Sequence, residues 1–588
     1  MPYTGRRAPA HRGPAIFPKR FRFMLGTGIE ALLTMLSDAG VRHIFGNPGT
    51  TELPLTDALA GRDDFQYILG LHEIPVLSMA DGYAMAGGRL GVCNVHISCG
   101  LGNAMGMLYN AFREGTPLLV TAGQQDRRLA FEEPILWGDM VSVARPWTKW
   151  AVEVQRVEDL PSALRRAIQL ATTPPTGPVF MALPLDVQLQ SAELDLTPAA
   201  RLDRRVRPPV EALRQATGVL LSAKRPGILC GSRVVEADAV EELVRVAETL
   251  GASVLAESGT THGRLGFPPS HPQFAGGLPL WSPEIRERLA EFDVLLVCGM
   301  DLLRQYIYHE PARAIPEHIK LVHLDEDPYQ LGKNYPLTVG LIGDTKSGLA
   351  ELAECLSQSM SPSQCEAASV RVAELAIQHE SARDECRREA AAQREARPLT
   401  PLAFMASIAR VLPENAAVIE EAVTTTNTAL ERLGAIKRPD GYFGHRGWAL
   451  GWGLGCAIGV RLAWPQRPTL AIIGDGAALY GIQSLWTAAH YHIPVTFVIA
   501  NNAQYQILKV GGRDLRLPNA LAGNHLGLDL TGPEIDFVAL SQAFGVPACR
   551  VTEPDTLSDA VAESLRGDGP RLIDVAIQRQ SPQRLQYG

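Results

Sequence analysis

Two short polar motifs stand directly after two apolar segments near the end of the chain. Gly474-Asp475-Gly476 follows TLAII, and Asn501-Asn502 follows VTFVIA, with 27 residues from Asp475 to Asn502. This spacing is typical of a strand, a crossover helix and a parallel neighbouring strand, so both side chains should emerge at one edge of a sheet. A carboxylate, an amide oxygen and a nearby backbone carbonyl suit Mg²⁺ that also takes water and phosphate oxygens. We therefore expect a Mg²⁺ site that binds a diphosphate.

The local sequence around Asp475 also favours phosphate binding. Gly474 and Gly476 allow the backbone to approach a ligand closely, and a helix that opens after Ala478 would present free N–H groups and a positive dipole end. The alternative is a tight strand-to-helix turn, because Gly-Asp-Gly alone occurs in many loops. The second motif at a one-crossover spacing favours the metal site.

Strands alternate with helices along most of the chain, which predicts parallel sheets covered on both faces. The regular pattern begins with a capping box at Thr27 and Glu30, and it is interrupted by a Pro-rich segment and by the charged run HESARDECRREAAAQREAR. We expect an α/β protein of three doubly wound, mostly parallel domains. The predicted boundaries are a flexible extension over 1–23, domains over 24–196, 210–358 and 401–588, and a linker over 359–400.

Composition excludes several classes of protein. The 588 residues carry 55 Lys and Arg against 63 Asp and Glu, a net charge of −8, so no basic surface for nucleic acid is expected. No uninterrupted apolar run reaches membrane-spanning length, and the N-terminal residues lack the apolar region of a secretory signal. The nine cysteines show no C-x-x-C pairing, which argues against a disulfide framework or zinc ribbon and predicts a reducing, cytoplasmic location.

Five segments in order carry a resemblance to a known family. They are GNPGTTELPL, LHEIPVLSMADGYAMA, NVHISCGLGNAMGMLYNAF, PLLVTAGQQDRR and GDGAALYGIQSLWTAAHYHIPVTFVIANN. The chain, from about Gly26 onward, resembles the thiamine-diphosphate-dependent 2-oxo acid decarboxylase and acetolactate synthase superfamily, and within it most resembles benzoylformate decarboxylase. The resemblance implies a pyrimidine-binding first domain, a Rossmann-like middle domain and a diphosphate-binding last domain. It also implies active sites between paired chains and a homotetramer built as a dimer of dimers.

The resemblance assigns residues to the cofactor and its metal. Mg²⁺ would be held by Asp475, Asn502 and the carbonyl of Gln504. Leu450 would support the bent shape of the cofactor, and the carbonyl of Trp448 would face its 4′-amino group. The remaining implied cofactor contacts are Pro48, Gly49, Glu73, Asn103, Thr424, Gly476, Ala477, Tyr480 and Tyr505. Ala477 and Ala503 replace Ser and Gly of the usual family pattern, so phosphate contacts should rest more on backbone groups.

Four residues are expected to take part in the reaction. Glu73 matches the glutamate that activates the cofactor through N1′ of its pyrimidine, although a glutamate at a helix start is often simply solvated. His96 and His309 match two histidines that relay protons, although a lone histidine is more often structural; the alignment of His309 needs a gap. Thr50 stands where the nearest members use Ser to contact substrate.

Two further positions predict the size of the substrate pocket. Ile507 occupies a place where aryl-specific members have a small residue, so its branched side chain should shrink the pocket. Gly511 reopens space in another direction. The predicted substrate is accordingly an aliphatic, branched or differently shaped 2-oxo acid rather than benzoylformate.

The resulting leading hypothesis is non-oxidative decarboxylation of a 2-oxo acid, with carboligation of the product onto an aldehyde as a side activity. Acetolactate synthase-like or benzaldehyde lyase-like carboligation is the nearest alternative. An FAD-containing relative is a third, although GILCGSRVV lacks a full G-x-G-x-x-G pattern. A non-catalytic scaffold is the fourth, and the presence of Glu73 argues against it.

Overall fold

The computed structural model describes residues 22–87, 90–198, 202–203, 205–257 and 263–579. Three six-stranded sheets, each parallel throughout, dominate these residues, and a small antiparallel pair joins β1 (Phe23–Thr27) to β8 (Ser191–Asp195). Helices cover the sheets, which confirms the predicted α/β class. Most of the predicted N-terminal extension lies outside the described residues, while Phe23 already belongs to β1.

The first sheet has the strand order β3-β2-β4-β5-β7-β6. Its first helix begins as expected, because Thr27 and Glu30 form both hydrogen bonds of a capping box. The further elements of this unit are α1 (Gly28–Asp38), β2 (His43–Gly46), α2 (Leu53–Ala60), β3 (Gln66–Leu69), α3 (Glu73–Gly87), β4 (Gly91–Val95), α4 (Ile97–Glu114), β5 (Leu118–Gln124), α5 (Met140–Ala144), β6 (Trp150–Glu153), α6 (Leu160–Thr172), β7 (Val179–Pro184) and α7 (Leu185–Leu189).

The second sheet has the order β11-β10-β9-β12-β13-β14. Its strands are almost continuously buried, as expected for a sheet covered on both faces. The elements are α8 (Val210–Leu221), β9 (Pro226–Cys230), α9 (Ser232–Glu236), α10 (Val240–Leu250), β10 (Ser253–Ala256), β11 (Phe274–Gly277), α11 (Ser282–Leu289), β12 (Val294–Cys298), β13 (Lys320–Asp325), β14 (Val339–Ile342) and α12 (Thr345–Ser359).

A long helix, α13 (Pro362–Ala392), joins this unit to the third, whose sheet order is β16-β15-β17-β18-β20-β19. The elements of the third unit are α14 (Pro401–Ala409), β15 (Ala417–Glu421), α15 (Val423–Thr426), α16 (Ala429–Arg432), β16 (Tyr442–Phe443), α17 (Trp452–Ala463), β17 (Thr469–Gly474), α18 (Asp475–Gly481), α19 (Ser484–His490), β18 (Thr496–Asn501), α20 (Gln506–Asp514), α21 (Pro518–Leu521), α22 (Phe537–Ala543), β19 (Ala548–Val551), α23 (Pro554–Arg566) and β20 (Arg571–Ala576).

Helix α3 of the first unit crosses helix α17 of the third at backbone contact distance. A Cβ atom on Gly459 would lie 2.0 Å from the carbonyl oxygen of Met79, and one on Gly82 would lie 2.3 Å from that of Cys456. Only glycine leaves room for two helices to pack this closely. The crossing therefore fixes the outer units against each other, and α3 and α17 begin beside residues of the candidate site.

Two general features of the described residues bear on the protein class. No helix among them combines the length and the apolar character needed to cross a lipid bilayer. All nine cysteines lie in described segments and none of them forms a disulfide.

Candidate active site

The third sheet brings Asp475 and Asn502 to the same edge. Gly474, the last residue of β17, pairs with Ala500 of the neighbouring strand β18, so the two polar motifs leave the sheet side by side. Helix α18 begins at Asp475, four residues before the predicted start after Ala478. The earlier start has a local cause, because Gly474 is extended and the Asp475 carboxylate accepts the N–H of Gly476 at 2.8 Å.

The carboxyl group of Asp475 has an oxygen that suits a cation. The residue is 5% exposed, and its Oδ2 is buried and has no hydrogen-bond partner among the described residues. Burial raises the pKa of Asp475 to about 6, against the opposing effect of backbone N–H groups at Gly476 and residues 502 to 504. Asn502 is also buried, and its Oδ1 accepts the N–H of Gln504 at 3.1 Å. A buried carboxylate oxygen without a partner, beside an amide oxygen, fits the predicted Mg²⁺ site.

The side chain of Gln504 is engaged elsewhere, in contacts with Lys509 and the carbonyl of Arg579. Its predicted contribution to the metal is the backbone carbonyl, and that prediction is compatible with these contacts. Among the described residues, no cluster of three or more His, Cys, Asp or Glu could hold a metal.

Other predicted cofactor contacts lie around the same loop. The ring of Tyr505 lies over Gly476, where an added Cβ would come within 2.5 Å of it. Ala477 is buried in the first turn of α18, and Tyr480 in the same helix is 49% exposed. Thr424 is half-buried in the short helix α15, which contacts α20.

Glu73 opens helix α3 as a buried side chain rather than a solvated one, with 4% exposure. Its Oε1 accepts a hydrogen bond from the Asn47 amide at 3.1 Å, and its Oε2 accepts one from the Asn103 amide at 3.0 Å. Gly100 leaves room for this carboxylate, since a Cβ there would lie 2.8 Å from Oε1. The two amides hold the carboxylate in place, and no cationic side chain of the described residues forms an ion pair with it. Asn103 was predicted at this site, whereas Asn47 was not.

Glu52 is a residue that the sequence analysis missed. It is 1% exposed, and its Oε2 lies 2.7 Å from Nδ1 of His96 and accepts the N–H of Gly49 at 3.0 Å. Its Oε1 accepts the N–H of Gly123 at 2.7 Å. A Cβ on Gly49 would lie 1.9 Å from the same imidazole nitrogen, so glycine is required there. The detectable signal was the position of Glu52 three residues after Gly49, the spacing at which a carboxylate reaches back to a backbone N–H.

His96 caps the start of α4, and its side chain remains 21% exposed. Glu52 fixes the Nδ1 side of the ring, which leaves Nε2 as the atom able to face a ligand. Thr50 and Pro48 are exposed on the same loop, Thr50 at the start of a 3₁₀ turn that ends at Glu52. The first domain thus assembles Glu73, His96 and Thr50 at the carboxyl ends of neighbouring strands.

The loop before α17 is held by a second carboxylate that sequence reasoning did not identify. Glu421, the last residue of β15, is buried and accepts the N–H groups of Gly451, Trp452 and Gly453 at 2.8 to 3.1 Å. Burial raises the pKa of Glu421 to about 7, and these three hydrogen bonds oppose the shift. Leu450, immediately before this turn, is half-buried against the adjoining core.

His309 lies in the loop between β12 and β13, close to residues of the third domain. Its ring lies 6.4 Å from that of Trp281, which belongs to a small cluster with Leu280, Ile307, Trp448 and Ile507. The structure therefore brings the surroundings of His309 together with Ile507. Gly511 faces open space, since a Cβ there would meet no atom within 4 Å.

The strand ends of the middle domain where a nucleotide would be expected are closely packed. Ligands of such sheets bind where the strand order reverses, which is between β9 and β12. A Cβ on Gly231 after β9 would lie 2.4 Å from the Cβ of Met300 after β12, and Arg233 bridges Asp301 and Asp325 at 3.0 and 2.8 Å. Side chains of the described residues therefore pack closely between these two strand ends, while Glu257, Met300 and Asp301 also border a cavity.

Comparisons with known proteins agree with this geometry. Residues 26–135 match the N-terminal TPP binding domain of thiamine pyrophosphate enzymes, residues 213–352 the central domain and residues 422–575 the C-terminal TPP binding domain. Benzoylformate decarboxylase of Pseudomonas aeruginosa is 34% identical over 94% of this chain and 99% of its own length. The chain belongs to the thiamine-diphosphate-dependent 2-oxo acid decarboxylase and acetolactate synthase superfamily.

Two further relatives represent the two halves of this superfamily. The 4-hydroxybenzoylformate decarboxylase structure from Rhodococcus jostii RHA1 superposes with a TM-score of 0.83 at 30% identity, covering 95% of this chain and all of that one. A protein from Methanocaldococcus jannaschii named "Probable acetolactate synthase large subunit" is 29% identical over 94% of this chain and 92% of its own length. The protein is therefore an enzyme of the thiamine-diphosphate-dependent class, with both cofactor-binding domains present.

Proposed function

We propose that this protein is a thiamine-diphosphate- and Mg²⁺-dependent decarboxylase that converts a 2-oxo acid to an aldehyde without oxidation, with carboligation as a side activity. The observation that carries the proposal is Glu73, a buried carboxylate held on both oxygens by amides and, among the described residues, without an ion-pair partner. A binding or scaffold role does not require such a group, whereas activation of the cofactor does.

The residues of both outer domains fit the cofactor. Asp475, Asn502 and the carbonyl of Gln504 would hold Mg²⁺ and, through it, the diphosphate; Asp475 Oδ2 is the atom still without a partner. Backbone N–H groups at the start of α18 would meet the phosphates. When bound, thiamine diphosphate supplies the nucleophilic carbon and accepts the electron pair that is left behind when carbon dioxide departs.

The protein would contribute proton control. Glu73 would hold a proton at N1′ of the pyrimidine, in a site where burial and the two amides fix its orientation. His96, held at Nδ1 by Glu52, would use Nε2 to donate or accept a proton at the substrate, and Thr50 would donate a hydrogen bond to the substrate carboxylate. His309 would be the second proton donor, from the middle domain.

We propose further that each site forms between two chains, in a homotetramer made of dimers. Among the described residues, the hydrogen-bond partners of Glu73 lie in the first domain, and the groups around Asp475 lie in the third. Intersubunit complementation tests this arrangement. Co-expressed Glu73→Gln and Asp475→Ala chains would regain activity in mixed dimers, because one of the two sites would receive only unaltered halves. Inactive mixed dimers would refute a shared site, and light scattering would give the mass.

The proposed substrate is an aliphatic or branched 2-oxo acid. Ile507 packs in the cluster with Trp281 and Trp448, which supports a small pocket on that side. The decisive experiment is reconstitution with thiamine diphosphate and Mg²⁺ over a panel of 2-oxo acids, with carbon dioxide and aldehyde measured. Aldehyde formation from at least one aliphatic acid is expected. A strong preference for benzoylformate would contradict the pocket argument, and no decarboxylation of any acid would contradict the function.

The nearest alternative is a carboligase of the acetolactate synthase or benzaldehyde lyase type, which the similarity to an acetolactate synthase relative favours. Products formed from one donor alone distinguish the two: a free aldehyde supports the decarboxylase, and a condensation product only in the presence of an acceptor supports the carboligase. An FAD-containing relative is the other alternative: a yellow purified protein with a flavin spectrum would support it, and a colourless protein would argue against it.

A further inference from the structure

Trp448 adopts a backbone conformation that is rare for a bulky residue. Its φ is +64°, in the left-handed region that glycine favours. Residues of the same chain hold this conformation. The N–H of Trp448 donates to Nδ1 of His445 at 2.9 Å. The side chain of Asn110 accepts the N–H of Ala449 at 3.0 Å and donates to the carbonyl of Ala449 at 2.8 Å. Such strained residues persist where the surroundings fix them, and they concentrate at functional sites.

The indole of Trp448 lies among the residues of the proposed substrate pocket. It packs in the cluster of Leu280 and Trp281 that also includes Ile307 and Ile507, and its ring centre lies 5.0 Å from that of Tyr306. The ring of His309 lies 6.4 Å from that of Trp281, a member of this cluster. The side chain therefore occupies space that a substrate side chain would otherwise reach.

A polar chamber also borders Trp448, and its lining shares Leu280 with the cluster. This cavity of about 170 Å³ is lined by Trp448 and Tyr306 and by the charged residues Glu257, Arg304 and Arg446, among others. Among the described residues, Nη1 of Arg446 and Oε2 of Glu257, which belong to two of these lining residues, are buried and have no hydrogen-bond partner. Ile507 and His309 are not among the described residues that line the chamber.

We propose that Trp448 is a specificity-determining wall that separates the substrate pocket from this chamber and restricts the enzyme to 2-oxo acids with short side chains. This inference rests on the proposed decarboxylase function. The strained backbone is what aims the indole into the pocket, because the same side chain on an extended or helical backbone would point elsewhere. Removal of the indole joins the pocket to the chamber.

The test is a volume series at this position: Trp448→Phe, Trp448→Ala and Trp448→Gly, assayed with pyruvate, 2-oxobutanoate, 2-oxohexanoate and benzoylformate. Relative to pyruvate, kcat/KM for the two larger acids, 2-oxohexanoate and benzoylformate, should rise at least about tenfold in the Ala and Gly variants. In the Phe variant it should rise by a smaller factor. Trp150→Ala, at the edge of the first sheet, is the matched control and should leave the ratio unchanged.

The outcomes separate this inference from the function it rests on. An active wild type with ratios that stay within about twofold across the series would overturn the wall and leave the decarboxylase standing. A wild type inactive on every 2-oxo acid would overturn both. Should the Ala variant fail to purify folded, the Gly variant, whose residue adopts φ +64° without strain, and the Phe variant still decide the result.

Discussion

Buried carboxylates do most of the organising at the residue scale in this site. Glu73 is held by two amides, Glu52 by backbone N–H groups and an imidazole, and Glu421 by three consecutive N–H groups. A buried carboxylate is tolerated only where hydrogen bonds replace its hydration, so each of these groups fixes the backbone or ring that it contacts. The same chemical group therefore fixes a different part of the site in each of the three cases.

Glu73→Gln should separate cofactor binding from catalysis. Gln keeps the size of the side chain and an acceptor for one of the two amides, but it cannot hold the proton at N1′. Cofactor affinity should be kept, and kcat should fall at least about tenfold. Calorimetric titration with thiamine diphosphate and steady-state kinetics measure the two quantities. Unchanged kcat would remove Glu73 from its assigned role.

Glu52→Gln should act through His96. The neutral amide cannot accept from Gly49, Gly123 and the imidazole together, so the ring loses its fixed orientation. We expect kcat to fall about as far as in His96→Ala, and the double variant to be no slower than the worse single variant, as for residues that act as a unit. Independent, multiplying losses in the double variant would contradict this coupling.

At the scale of elements, the ends of parallel strands and one helix crossing position everything else. Strands β17 and β18 place the proposed metal ligands side by side, and α3 begins at Glu73 before it runs into the crossing with α17. The glycines of that crossing replace side-chain contact by backbone contact. Movement of either helix would therefore displace the site residues of one outer domain.

Gly459→Ala tests this crossing. The new methyl group would meet backbone atoms of Met79 and Tyr83 at 2.0 and 2.7 Å, which cannot move aside as a flexible side chain could. A loss of stability of about 1 to 3 kcal/mol is expected from overpacking. Gly218→Ala is the matched control, because Gly218 is an exposed helix residue with no atom within 4 Å of the added Cβ; it should stabilise the protein by about 0.5 to 1 kcal/mol. Equal effects of the two substitutions in urea unfolding would refute the tight crossing.

At the scale of the whole molecule, the interior contains an unusual number of carboxyl groups with altered ionisation. Burial raises the pKa to about 7 or 8 for six of them away from the proposed metal ligands: Asp81, Glu236, Glu257, Glu326, Glu421 and Glu431. Burial lowers the pKa of His323 and His445 to about 4. The carboxyl groups outnumber the histidines, so they set the direction of the pH dependence.

We expect the apoprotein to lose stability as pH rises from 5.5 to 8. Over this range the folded state retains protons on these carboxyl groups that the unfolded chain has already released, so rising pH favours unfolding, and the two histidines oppose the trend only partly. Thermal unfolding at a series of pH values measures it. Asp81→Asn, which keeps an acceptor for the Trp452 indole N–H at 2.6 Å, should flatten the slope. A Tm higher at pH 8 than at pH 5.5 would contradict the expectation.

The sequence by itself determined the α/β class, the family, and the motifs around Glu73, Asp475 and Asn502. These features are readable because they are local: an apolar strand, a turn and a polar residue at its end occupy a few consecutive positions. Differences between predicted and observed helix boundaries are small for the same reason. Helix α18, for example, starts at Asp475, where a side-chain hydrogen bond within the first turn extends the helix.

Tertiary structure alone decided which distant residues meet. Glu52 reaches His96 across 44 positions of the chain, Trp448 lies beside residues of the middle domain, and Gly459 meets α3. None of these pairs has a periodic signature, because they depend on how sheets and helices pack rather than on the preferences of neighbouring residues. The left-handed backbone of Trp448 could likewise not be predicted from the sequence. It depends on the hydrogen bonds between Asn110 and Ala449, the residue after Trp448, and Asn110 lies more than three hundred positions earlier in the chain.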